Sequence, residues 1–226
     1  MNSKICVSLF ANNVLEALSL IEKAEKLKIG FIEIRLDEFE EIDRLSDITN
    51  WTRIPLIATN RPLKEGGRFK GSEEKRKEIL LNAAKAGFNY VDIELFMPSL
   101  QEMIDELRKY DTKVIISFHD FEKTPKIDEL KSILNQEIDH EADICKIVTT
   151  AKRFEDNLII LNFLSEESKK VKLVSFAMGE HGKISRALSP FFGSYFTFAS
   201  LEKGKETASG QLTVYELKSI YETLGF

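Results

Sequence analysis

The chain has 226 residues, 43% of them hydrophobic and 31% charged, which is enough to bury one full-sized core, and no linker or low-complexity stretch divides it. Its formal net charge is −5, with Lys and Arg scattered among Asp and Glu, so a nucleic-acid surface is not indicated and any anionic ligand must be attracted locally. No apolar run is long enough to cross a bilayer, and Cys6 and Cys145 belong to no Cys-x-x-Cys or Cys/His cluster, which points to a reduced cytoplasmic protein without a structural metal.

Lys4 followed by Ile5–Ala11 faintly resembles a secretory leader, but the stretch is short and lacks a convincing cleavage site; it is better used as a first strand, Lys4–Leu9. Val14–Lys26 follows with apolar residues at three- and four-residue spacing, and Gly30 stands where a left-handed residue would close that helix. Strands are then predicted at Gly30–Arg35 and Pro55–Asn60, a helix at Glu73–Ala86 closed by Gly87, a strand at Tyr90–Leu95 and a helix at Leu100–Tyr110. The next strand, Lys113–Phe118, leads to a helix at Ile127–Ile138, for which Thr124-Pro125 supplies an N-cap and a first-turn proline. Strand Ile144–Thr149, helix Phe154–Lys169 and strands Lys172–Ala177 and Tyr195–Ala199 come next, before a last helix, Val214–Leu224, with Thr213 and Glu216 as its capping box.

Strands alternating with helices imply right-handed crossovers and a parallel sheet, and eight such units close into a (β/α)₈ barrel forming one catalytic domain over residues 1–226. An open doubly wound sheet fits less well, because no Gly-x-Gly-x-x-Gly turn follows the first strand. Gly204-Lys205-Glu206-Thr207 lacks the upstream glycine of a phosphate loop.

Side-chain parity turns this fold into a site. Glu33 and Arg35 share one face of their strand, Asp92 and Glu94 share another, and Lys146 interrupts the apolar run Ile144–Val148. On a half-buried antiparallel sheet these would be ordinary solvent-facing residues. Parallel barrel strands are covered outside by helices, so charged faces look inward, where they need partners. A buried lysine is costly unless neutralised or paired and is therefore a candidate reactive amine; burial beside other cations is one way to free it. His119, at the tip of the neighbouring strand, would move the proton.

The carboxyl ends of the strands and the loops after them gather Ser8, Glu33, Arg35, Arg61, Glu65, His119, Lys146, Met178, Arg186 and the stretch Lys203–Gln211. The glycine-rich segments around Gly66 and Gly204 read either as ordered active-site loops or as loose connections.

These residues, in this order and spacing, resemble the type I 3-dehydroquinate dehydratases. The markers are Ile32–Asp37, Arg61 with Glu65-Gly66-Gly67, Asp92–Leu95, Ser117–Phe121, Lys146, Met178-Gly179 through Arg186, and Gly210-Gln211, spanning Ile5 to Leu217. The resemblance implies a (β/α)₈ barrel, a homodimer without metal or organic cofactor, and dehydration of 3-dehydroquinate to 3-dehydroshikimate in aromatic amino acid biosynthesis. It assigns the imine to Lys146, general acid/base work to His119, and that histidine's carboxylate partner to Glu65. Arg186 would grip the substrate carboxylate and Gln211 would sit in the closing loop, with Thr207 as a further ligand; Glu33, Arg35 and Arg61 would serve the ring hydroxyls and charge network, and Ser8 and Met178 would line the pocket. Many members begin with an extra hairpin that plugs the barrel floor, whereas here the first strand starts almost at Met1, so the floor is expected to be sealed differently or left thinner. The alternatives are another Schiff-base barrel such as a class I aldolase, with a phosphate site near Gly182–Arg186, and a non-catalytic metabolite-binding barrel.

Overall fold

A computed structural model describes residues 4–225. Their parallel strands follow the predicted alternation: β1 (Ile5–Phe10), β2 (Phe31–Arg35), β3 (Leu56–Thr59), β4 (Tyr90–Glu94), β5 (Lys113–His119), β6 (Ile144–Thr150), β7 (Leu173–Met178), β8 (Thr197–Ser200) and a two-residue β9 (Leu212–Thr213). The helices are α1 (Val14–Glu25), α2 (Leu45–Trp51), α3 (Glu73–Lys85), α4 (Leu100–Arg108), α5 (Ile127–Asp139), α6 (Asp156–Glu167), α7 (Lys183–Leu188) and α8 (Val214–Thr223). The sheet runs β7-β6-β5-β4-β3-β2-β1-β8-β9 and curls into a barrel. Its ends meet through Tyr195 N–H donating to Leu173 O (2.8 Å) below and Gly179 N–H donating to Ser209 O (3.3 Å) above, with no ladder joining β7 to β8 among the described residues.

Register keeps inward residues beside inward residues: Ser8 opposite Glu33, Thr59 opposite Asp92, Glu94 opposite Ser117, Ser117 opposite Lys146. The outward set, including Ile34, Val91, Ile93, Val114 and Ile116, packs under the helices and supplies most of the apolar burial. The barrel interior changes character along its axis. Its N-terminal end is aromatic, with Phe31 4.7 Å from Phe196 and 6.1 Å from Tyr90 between ring centroids, and Tyr195 tilted against Phe31 at 5.8 Å. These rings, with Cys6, Ile57 and Ile115, fill the floor of the barrel.

Two local expectations were displaced. The left-handed residue after α1 is Lys28 (φ 49°), because the helix ends earlier than its apolar spacing suggests; Gly30 instead starts the β2 ladder, donating its N–H to Ile5 O. Thr124 does not cap α5. Its hydroxyl pairs with Thr149 Oγ1 (2.9 Å) and Thr150 O (3.1 Å) on β6, and the helix begins after Lys126 without a side-chain cap. Gly87 (φ 96°) and the Thr213–Glu216 capping box are as predicted.

Candidate active site

The C-terminal half of the barrel interior opens into a cavity. Of the residues read from the sequence, Glu33, Arg35, Arg61, Glu65, His119, Lys146, Met178, Arg186, Thr207 and Gln211 line it. Ser8 does not: its hydroxyl lies behind Glu33 and donates to Glu33 Oε2, while Thr59 Oγ1 donates to Oε1 at 2.8 Å. Ser8 therefore orients a lining carboxylate instead of facing the cavity itself, because Glu33 on the neighbouring strand takes up its hydroxyl.

At the centre, Lys146 Nζ donates to Asp92 Oδ2 at 2.7 Å and lies 4.5 Å from the centroid of the Phe198 ring. The nearest charge is thus an anion: the buried amine is paired, one of the two ways its burial can be borne. Asp92 Oδ1 accepts from Arg61 NH2 (2.6 Å) and Ser117 Oγ (2.7 Å). Burial alone would raise the Asp92 carboxyl, but the Arg61 and Lys146 cations outweigh it and hold the group below the ordinary carboxylate range.

Arg61 also donates to Glu94 Oε1 (2.7 Å), and Glu94 Oε2 meets Arg76 NH1 at 2.7 Å. Arg76 reaches in from α3, anchored on Glu73 (2.6 Å) and on Asn60 O (3.0 Å). The result is a chain of alternating charge, Lys146–Asp92–Arg61–Glu94–Arg76–Glu73. Burial would lower the Arg61 guanidinium, yet Asp92 and Glu94 together push it above its usual value.

A second cluster fixes the rim. Asp37 accepts from Arg35 (2.5 and 3.1 Å) and from the backbone N–H groups of Arg61 (3.0 Å) and Arg68 (2.8 Å). The glycine-rich segment after β3 is accordingly tied down: Gly67 N–H donates to Pro62 O, and a Cβ at Gly67 would stand 1.9 Å from Arg61 O. Only glycine allows that approach.

His119 stacks on Phe121, with centroids 5.9 Å apart and planes 16° from parallel, and its enclosed Nδ1 has no hydrogen-bond partner among the described residues. Burial, reinforced by Arg61 and Lys146, lowers its pKa well below the ordinary imidazole value, so the ring is a neutral base near pH 7. Glu65 shares the cavity with it, but no hydrogen bond joins the two. The Glu65 carboxyl is raised, by burial first and then by Glu94.

Arg186 is fully buried on α7, and among the described residues its guanidinium makes one hydrogen bond, from NH2 to Ser209 O at 3.4 Å. Nε and NH1 have no partner among the described residues, the guanidinium carbon sits 4.2 Å over the Phe176 ring, and burial pulls the pKa down to about 9. It remains charged at neutral pH. Gly182, just before α7, lets this turn pack on β7, since a Cβ there would meet Ala177 O at 2.5 Å.

The loop between β8 and β9 covers this side. Gln211 Oε1 accepts from Thr207 N–H (2.7 Å) and from the Thr207 hydroxyl (3.3 Å), so these two residues shape the loop together. Lining residues not singled out from the sequence include Thr59, Val148, Phe176 and Phe198, all on the inward parity of their strands, a signal that could have found them.

The family model for type I 3-dehydroquinase matches residues 5–225. The chain belongs to that family. It is 40% identical over 219 residues to a 3-dehydroquinate dehydratase of Dehalococcoides mccartyi, covering 92% of this chain and 94% of the relative, and 40% identical over 228 residues to one of Methanococcus maripaludis, covering 98% and 100%. The solved type I 3-dehydroquinate dehydratase of Clostridium difficile, carrying covalently modified comenic acid, superposes with a TM-score of 0.87 at 30% identity, covering 99% of this chain and 92% of that one. Its family relatives are barrels of the same build. Among the described residues, no group of three or more His, Cys, Asp or Glu side chains could hold a metal ion, and no helix is long and apolar enough to cross a membrane.

Proposed function

We propose that the chain dehydrates 3-dehydroquinate to 3-dehydroshikimate in the shikimate pathway through an imine on Lys146. The observation that carries this reading is one cavity holding an amine, a neutral imidazole with an unpartnered ring nitrogen, and an unpaired buried guanidinium. A cyclic keto acid with ring hydroxyls matches that set: its carboxylate pairs with Arg186 through the arginine fork, and its ketone reaches Nζ.

Deprotonated Nζ adds to the ketone carbon, and loss of water leaves a protonated imine. His119 then takes a proton from the adjacent carbon, whose electron pair passes into the imine to give an enamine. The enamine expels the β-hydroxyl, which leaves as water with the proton from His119, and hydrolysis frees Lys146 with the product. Glu33, Arg35 and Arg61 hold the ring hydroxyls and the charge network, Glu65 supports the imidazole on closure, Met178 packs on the ring, and Thr207 with Gln211 closes the loop. We take the working form to be a homodimer, as the resemblance implies, and its compartment to be the cytoplasm, on the cysteine usage of the sequence.

Borohydride added during turnover of 3-dehydroquinate should leave a reduced adduct located by peptide mass on Lys146. Lys146→Ala should lose the adduct and on the order of 10⁵-fold in kcat, the scale of removing an activated nucleophile. Unmodified Lys146 together with full activity in Lys146→Ala would overturn the mechanism. Strong inhibition by phosphosugars with none by quinate-like acids would favour an aldolase instead.

A further inference from the structure

Asp92 is wholly buried, and both of its oxygens are taken by donors: Lys146 Nζ at 2.7 Å on one, Arg61 NH2 at 2.6 Å and Ser117 Oγ at 2.7 Å on the other. It cannot turn away from Nζ without breaking all three bonds. A carboxylate in contact does nothing to free an amine, since it stabilises the charged form. Its value lies after condensation. The imine nitrogen then occupies the place of Nζ, and it withdraws electrons from the adjacent carbon effectively only while protonated. A fixed anion at contact distance, away from bulk water, favours that cation.

We propose that Asp92 is the counter-ion of the imine formed on Lys146, keeping its nitrogen protonated from condensation to hydrolysis. This rests on the reading of Lys146 as the imine-forming residue. Two further features fit the role. The Phe198 ring flanks the same nitrogen at 4.5 Å, offering its electron-rich face to a cation. Arg61 does not consume the Asp92 charge, because it is shared with Glu94, which Arg76 also engages. Along the chain Lys146–Asp92–Arg61–Glu94–Arg76–Glu73 cations and carboxylates balance, and replacing an ammonium by a protonated imine leaves that balance intact. No charge is created or lost in the buried network when the intermediate forms.

Cyanoborohydride reduces a protonated imine and spares a neutral one, so the pH dependence of trapping reads the nitrogen directly. With 3-dehydroquinate, the wild-type protein should be trapped on Lys146 well into the alkaline range. In Asp92→Asn the alkaline fall-off should move down by about one to three pH units, the scale of losing one contact charge. Asp105→Asn makes the same change on the exposed face of α4, outside the site, and should keep the wild-type profile. Superimposable profiles for Asp92→Asn and wild type, or equal shifts in both variants, would sink the proposal. Should Asp92→Asn not fold, the ¹⁵N resonance of Lys146 in the wild-type imine decides: a protonated imine into the alkaline range supports the role, a neutral imine around neutrality refutes it. Absence of any wild-type adduct would remove the imine reading itself, a separate outcome.

Discussion

Lys146 and Arg186 are both buried cations on the wall of one cavity, yet Lys146 has a carboxylate at 2.7 Å, whereas Arg186 has a backbone carbonyl at 3.4 Å and the face of Phe176. The fold satisfies the first charge from within and leaves the second to whatever binds. A buried charge without a counter-charge costs stability, and a site that keeps one is shaped for an anionic ligand. A paired cation belongs to a network that must stay neutral while chemistry proceeds on it.

The sharpest way to break this contrast is Arg186→Gln. Loss of the guanidinium should raise KM for 3-dehydroquinate by about 30- to 1,000-fold, equivalent to about 2–4 kcal/mol of binding, with a smaller change in kcat. A KM within a few-fold of wild type in steady-state kinetics would show that the ligand carboxylate lies elsewhere.

Without ligand the ordering should invert in denaturant unfolding. Lys146→Met leaves Asp92 short of a cation, though still held by Arg61 and Ser117, and should cost about 1–3 kcal/mol. Arg186→Met removes an uncompensated charge and should change stability by less than about 1 kcal/mol or increase it. Equal losses in both variants would erase the distinction.

The smallest effect is a pH slope. His119 has its folded pKa depressed by burial, so below about 6.5 the unfolded chain binds a proton that the native ring refuses. Its contribution to stability is full above that value and declines as pH falls, by at most about 1.4 kcal/mol per pH unit. His119→Asn should flatten this part of the stability profile, and an NMR titration should find the wild-type ring neutral through the ordinary imidazole range. A ring that titrates near 6.5 would count against the electrostatic picture.

Much of the site was legible from parity. Charged residues two apart in strands that helices must cover could only face inward, and Glu33, Arg35, Asp92, Glu94 and Lys146 do so in register. The partner of each charge was not legible, because pairing across strands depends on stagger and side-chain reach. Thus which residue pairs Lys146 emerged only with Asp92 in place, and Ser8 proved to hold Glu33. Arg76 went unnoticed although it stands three residues before Ile79 and four before Leu80, on the buried face of α3, where an arginine signals a contact through the barrel wall. Thr124 looked like a helix cap because local chemistry favours that role, but the β6 hydroxyl and carbonyl of Thr149 and Thr150 competed for it.

The join between β7 and β8 gives the cavity its last property. The cylinder is sewn by continuous ladders elsewhere, but here it is caught by a stitch at each end, and Ser209 at the upper one also receives Arg186. The mouth and the unsewn hem are the same place. The arginine left without a counter-charge thus touches the same carbonyl that fastens the cylinder, so the anchor of the cavity and the clasp of the wall share one atom.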